Sequence, residues 1–126
     1  MSNTWIQTHS GRVFDFKSLD PNALSLDDIA HALSQVCRFT GHCLRFESVA
    51  EHSWLVVKRV QEIMPTEMVQ RGLNTSVIRS ALMHDAAEAY IGDITTPLRR
   101  ALQSETLVAL ERTINEMIAT RFRLDT

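Results

Sequence analysis

From Ser25 onward the chain repeats one signal: a helix-capping residue followed by apolar residues three and four positions apart. The clearest case is Ser48-Val49-Ala50-Glu51, a Ser-x-x-Glu capping box. There the serine oxygen and the glutamate side chain each satisfy a backbone N–H at the helix start. This helix is expected to run to about Met64, because Pro65 cannot continue it. Ser25 and Asp28 resemble a second capping box, with Asp in place of Glu, and Ile29, Ala32, Leu33 and Val36 carry that helix to about Cys37. A loop centred on Gly41 follows it. Thr75 or Ser76 caps a third helix, expected to run to about Tyr90 and to stop at Gly92. Thr96 followed by Pro97 opens a fourth, whose apolar stripe is Leu107, Leu110, Ile114 and Met117. Ahead of them, Trp5 to Phe16 alternates in the manner of strands around a Ser10-Gly11 turn. A lone hairpin is marginal and has to pack on something larger. The expectation is therefore an all-α domain of four helices with a small N-terminal β-hairpin.

The 126 residues suffice for a single domain, 1–126, around one hydrophobic core. A formal net charge of −2 argues against a nucleic-acid polymer as partner, since such surfaces are strongly basic. A small anion needs only a local Arg cluster or a bound cation. Met1-Ser2-Asn3-Thr4 has no charged region leading into an apolar run, and no apolar stretch is long enough to span a bilayer. A cytoplasmic protein without a membrane partner is expected. Cys37 and Cys43, six positions apart, make neither a disulfide framework nor a CxxC metal pair, and read as free, partly buried thiols.

Three polar features lie where a plain helical bundle would not place them. His52 falls close to the inward stripe of its helix, beside Val49, Val56 and Val60. Taken alone it reads as a core histidine with both ring nitrogens hydrogen-bonded. Asp85 follows Ile78 by seven and Leu82 by three, so it shares their apolar face, and Glu88 lies three further on. Carboxylates among apolar residues are costly unless paired or bound to a cation. Asp93, just past Gly92, serves equally as a turn residue or as something chemical. Imidazole and carboxylate together suit Mn²⁺, Co²⁺, Fe²⁺ or Zn²⁺. Neighbours on a helix point about 100° apart, so His84 and Asp85 can both reach a cation lying against a second helix that carries His52. Open positions on such an ion would take water and a phosphate oxygen.

These residues match a known pattern. Val49-Ala50-Glu51-His52-Ser53, followed by Met83-His84-Asp85-Ala86-Ala87-Glu88 and Gly92-Asp93-Ile94-Thr95-Thr96-Pro97, resembles the HD-domain phosphohydrolases. The nearest branch is that of the bacterial 5′-deoxynucleotidases and their phage-encoded relatives. Asp27 to Leu33 and Cys37-Arg38-Phe39-Thr40-Gly41-His42 resemble the same branch, and the likeness runs over essentially the whole chain. The resemblance implies an HD-type helical core and one divalent transition metal (Mn, Co, Fe or Zn) held by His52, His84 and Asp85. It implies that Glu88 and Asp93 handle protons and the attacking water. Arg38 would stand beside the substrate, where without the resemblance it reads as a cation at a helix C-terminus. Phe39 would pack near the sugar, with His42 and Arg45 as weaker candidates for phosphate contact. His31 reads as structural.

The implied reaction is hydrolysis of a phosphate ester of a small deoxynucleotide, as a 5′-deoxynucleotidase or a deoxynucleoside triphosphohydrolase. Relatives often assemble, so a homo-oligomer is implied as well. The family also continues past the helix matching Leu107–Arg121, and a later helix supplies a last Asp ligand. Here that helix is expected to be lacking, and Asp125 has no family context as a substitute. The alternative expectation is a non-catalytic HD-like domain that binds a nucleotide or a partner protein.

Overall fold

Three serines set the main helices in place. Ser25 Oγ accepts the Asp28 N–H, Ser48 Oγ the Glu51 N–H and Ser104 Oγ the Leu107 N–H, each closing the first turn of a helix. The computed structural model describes residues 3–125. In chain order its elements are strands β1 (Trp5–Gln7) and β2 (Val13–Asp15), then helices α1 (Leu26–Gln35), α2 (Val49–Ile63), α3 (Thr66–Gln70), α4 (Asn74–Leu82), α5 (Glu88–Ile91), α6 (Thr96–Leu102) and α7 (Glu105–Phe122). Short 3-10 turns occupy Pro21–Ala23 and Arg38–Gly41. The fold is all-α with a two-stranded antiparallel hairpin, as the sequence predicts.

The hairpin pairs Trp5 with Asp15, Ile6 with Phe14 and Gln7 with Val13. Gly11 takes φ +90° in its turn, a conformation that costs glycine little. Two contacts attach this marginal element to the helices. Phe14 enters the core and stacks on Tyr90 of α5, with ring centroids 4.1 Å apart. Ser10 donates from its backbone N–H and its hydroxyl to the buried Asp28 carboxylate on α1, at 2.7 and 2.8 Å. The expected capping box at Ser25 is therefore only half formed. Asp28 turns away from the helix start toward the hairpin, and the Ser25 N–H donates to the Tyr90 hydroxyl instead.

The core gathers Phe14, Leu24, Ile29, Leu33, Val49, Ala86, Ala87, Tyr90, Ile114 and Ile118. α1 packs on α2 and α5, and α2 on α4. α1 ends at Gln35, two residues before the expected Cys37. There the chain straightens so that Cys37 can bridge Ser48 and the Arg38 N–H can reach the Glu47 carbonyl at 2.9 Å.

Two expected helices are each divided. The stretch expected as one helix to Tyr90 begins at Asn74 and has α4 and α5 at its ends. Between them the backbone closes i→i−3 bonds, from Ala86 N–H to the Met83 carbonyl and from Glu88 N–H to the Asp85 carbonyl. The expected fourth helix breaks at Gln103, which is left-handed at φ 44°, and restarts at the Ser104 cap. α3, after Pro65, had no counterpart in the expectation, and Thr96 is the first residue of α6, with Thr95 in the N-cap position before it.

Asp28 is 2% exposed. Burial pushes its pKa up, but hydrogen bonds from Ser10 and Thr8 and the charge of Arg12 bring it below the ordinary Asp value. Its contribution to stability is thus present above the unfolded pKa and is lost as pH falls through the lower folded value. Asp28→Ala should lower the unfolding free energy by about 2–3 kcal/mol at neutral pH, because it leaves the Ser10 donors without their charged acceptor. Urea unfolding is expected to show a lower midpoint with an unchanged slope.

Candidate metal centre

The Ser48 cap fixes where α2 starts, and so which face His52 occupies. One turn in, the His52 N–H closes the bond to the Ser48 carbonyl at 3.1 Å. The packing of α2 on α4 brings this imidazole to the tightened turn after α4, where His84 and Asp85 lie. Asp85 Oδ2 stands 3.5 Å from His52 Nε2 and 2.9 Å from His84 Nε2. One ligand atom from each of the three lies within 4.8 Å of the others. Ligands around one ion at roughly 2.1 Å stand about 3 Å from one another, so these separations suit a single cation after small side-chain movements.

A second contact makes the donor set more specific. His84 Nδ1 lies 2.7 Å from the Ala81 carbonyl oxygen, which can only accept, so Nδ1 carries a proton. Nε2 is left facing Asp85, with its tautomer and ring orientation fixed as in many metal-bound histidines. In the metal-free protein that Nε2 needs a proton of its own, because a bare lone pair would face a carboxylate. Accordingly the hydrogen bond to Asp85 raises the His84 pKa, and the same bond lowers that of Asp85. His52 behaves oppositely: burial and then the Arg38 charge lower its pKa, which keeps it neutral and ready to donate a lone pair. His52, His84 and Asp85 thus fit a divalent transition metal in both geometry and protonation. The His84 proton marks where the cation's charge would go.

Glu88 lies alongside. With i→i−3 bonding, residues three apart align along one edge, which brings Glu88 under Asp85. Burial first, then the charges of Asp85 and Asp93, raise the Glu88 pKa to about 8. Asp93 is half-buried behind Gly92.

Arg38 lies within electrostatic reach of the cluster and lowers both the His52 and Asp85 pKa values. It is tied to Glu47 at 3.2 Å, and its guanidinium sits 4.5 Å from the centre of the Phe39 ring. Phe39 and Thr40 both adopt left-handed backbone, with φ 56° and 54°. Non-glycine residues in this region store strain and cluster at functional sites. Phe39 is left 48% exposed. His42 and Arg45 are not gathered into the cluster. His42 is exposed at the end of the loop, and Arg45 points to Glu51 at 3.8 Å. Asp125 lies elsewhere, its carboxylate accepting from Ser76 on α4. Sequence reasoning missed the Ala81 carbonyl and Glu47. A backbone acceptor leaves no mark in a sequence, and Glu47 is one acid among many until the Cys37–Ser48 bridge sets it opposite Arg38.

The HD domain family profile matches residues 31–124, a span that includes Arg38, His52, His84, Asp85, Glu88 and Asp93. The chain belongs to the HD domain family. This HD domain is 38% identical over 99 residues to the uncharacterized protein YfdR of Escherichia coli, an alignment covering 79% of the chain and 48% of the relative. It is 32% identical over 126 residues to an uncharacterized protein of Rhodobacter capsulatus, covering 98% of the chain and 61% of the relative. The chain thus spans about half to three-fifths of the length of these relatives. The family match and the convergence of His52, His84 and Asp85 together point to a divalent metal.

Metal binding should displace the His84 proton. Below the raised His84 pKa, affinity for Mn²⁺ or Co²⁺ should climb roughly tenfold per pH unit, and it should level off above that pKa. Calorimetry in two buffers of different ionisation enthalpy should detect about one proton released per metal at the lower pH. Affinity independent of pH would mean that the cation binds elsewhere.

Proposed function

We propose that this HD domain hydrolyses a phosphate ester of a small deoxynucleotide, using one divalent transition metal (Mn, Co, Fe or Zn) held by His52, His84 and Asp85. The convergence of those three side chains from α2 and the turn after α4, with a protonated Glu88 beside them, carries the reading. When bound, such a cation lowers the pKa of a coordinated water and neutralises charge on the phosphoryl group.

The chain's own residues supply the rest. Glu88, with a pKa of about 8, holds a proton at neutral pH that it can give to the leaving ester oxygen. Asp93, whose charge Glu88 senses, would take up or relay the proton that the attacking water loses. Arg38 can exchange Glu47 for a phosphate oxygen, a contact its planar fork suits. Phe39, exposed beside it, would pack against the sugar and disfavour a ribose 2′-hydroxyl. His42 and Arg45 are outer contacts for a longer phosphate chain. A cytoplasmic setting and assembly with further copies of the chain complete the proposal. No described helix is long and apolar enough to cross a membrane.

One observation favours a second reading, nucleotide binding without turnover. Among the described residues the metal-ligating group comprises three side chains, and Asp125 is not one of them. A cation held by three protein ligands keeps more waters and binds less tightly.

The test is a panel of deoxynucleoside mono- and triphosphates with Mn²⁺ or Co²⁺, read by release of phosphate from the monophosphates or of inorganic triphosphate from the triphosphates. Glu88→Gln should lower kcat by roughly 10²- to 10⁴-fold while metal content stays the same. Tight nucleotide binding with no release from any substrate would support the non-catalytic reading and sink the hydrolytic one.

A further inference from the structure

Two thiols stand at the ends of the loop that carries Arg38, Phe39 and His42. Cys37 Sγ and Cys43 Sγ are 3.6 Å apart, and both residues are half-buried. The Cys37 end is anchored by its bridge to Ser48 and by the Arg38 N–H bond to the Glu47 carbonyl, 2.9 Å long. Between the thiols the backbone runs through three successive positive φ values, 56° at Phe39, 54° at Thr40 and 83° at Gly41. That conformation folds the loop back on itself and sets the sulfurs side by side. A disulfide has an S–S distance of about 2.05 Å, so the sulfurs would have to approach by about 1.5 Å, a movement side-chain rotation can supply.

We propose that Cys37 and Cys43 are a site of reversible oxidation, forming an intramolecular disulfide that clamps the Arg38–His42 loop. The two thiols share one S–H···S contact in which either sulfur can donate. A low-molecular-weight disulfide is the oxidant. The thiolate of one cysteine attacks one of its sulfurs, and the first small thiol leaves with a proton. The other cysteine then loses its proton and attacks the Sγ of the first, which expels the second small thiol. The protein gives up two electrons and two protons, and the small disulfide gains them as two thiols. The loop residues are those assigned above to the substrate side, so an effect on substrate binding rests on the proposed function. The disulfide itself does not.

The test uses the full chain in glutathione buffers of varied oxidised-to-reduced ratio, quenched in acid, alkylated and weighed by mass spectrometry. The expected result is loss of both alkylatable thiols together, with no glutathione retained and full recovery on reduction. Cys43→Ser should instead stop at one glutathione adduct on Cys37. Hydrogen exchange at the amides of residues 38–43 should slow by about tenfold or more in the oxidised form. Thiols that stay alkylatable at every ratio, separate adducts on each cysteine, or disulfide-linked dimers would overturn the pairing. A disulfide that forms without slowing exchange would overturn the clamp. None of these readouts depends on hydrolytic activity, so they stand or fall apart from the proposed reaction.

Discussion

Asp85 is a half-buried carboxylate approached by two imidazoles from different parts of the chain, and much of the structure serves to keep it there. Its contact with His84 spans adjacent residues and forms only because the backbone tightens after α4. Its contact with His52 spans two helices and requires α2 to begin at Ser48 and to pack on α4. An uncompensated carboxylate in this position would be costly. In the metal-free protein the His84 proton and the nearby Arg38 charge compensate it. A divalent cation would do so more completely, while burial, the larger cause, would go on raising the Glu88 pKa.

The same electrostatic arrangement explains how a chain with a net charge of −2 could bind a phosphorylated ligand. The positive charge is local. Arg38 faces the cluster, and the Glu47 pair and the Phe39 ring hold it in position rather than leaving it free in solvent. The strained loop that presents these groups is joined directly to the start of α2 through the Cys37–Ser48 bridge. The Arg38–His42 loop and His52 are therefore positioned by one short stretch of backbone.

Much of this was legible in the sequence because caps and periodicity act locally. Ser25, Ser48 and Gly92 mark boundaries that the structure keeps, and the Trp5–Phe16 alternation becomes the hairpin. His52, Asp85 and Glu88 were identifiable as polar residues on apolar stripes, and His84 as the neighbour of Asp85. The misses have a common cause in longer-range competition. Asp28 looked like a capping acid but is held by Ser10, 18 positions away in sequence. The division between α4 and α5 comes from a change of hydrogen-bond register that leaves the apolar spacing nearly unchanged. Gln103 has no strong breaking signal, and the Ser104 cap of the helix that follows it was not read from the sequence.

The central claim is that His52, His84 and Asp85 hold one cation. Elemental analysis of the purified chain, with and without His84→Ala, tests it most directly. About one transition metal per chain, lost in the variant while the helical circular dichroism is unchanged, is the predicted result. A chain that takes up no metal even when it is supplied in excess, or a variant that retains it in full, would contradict the account.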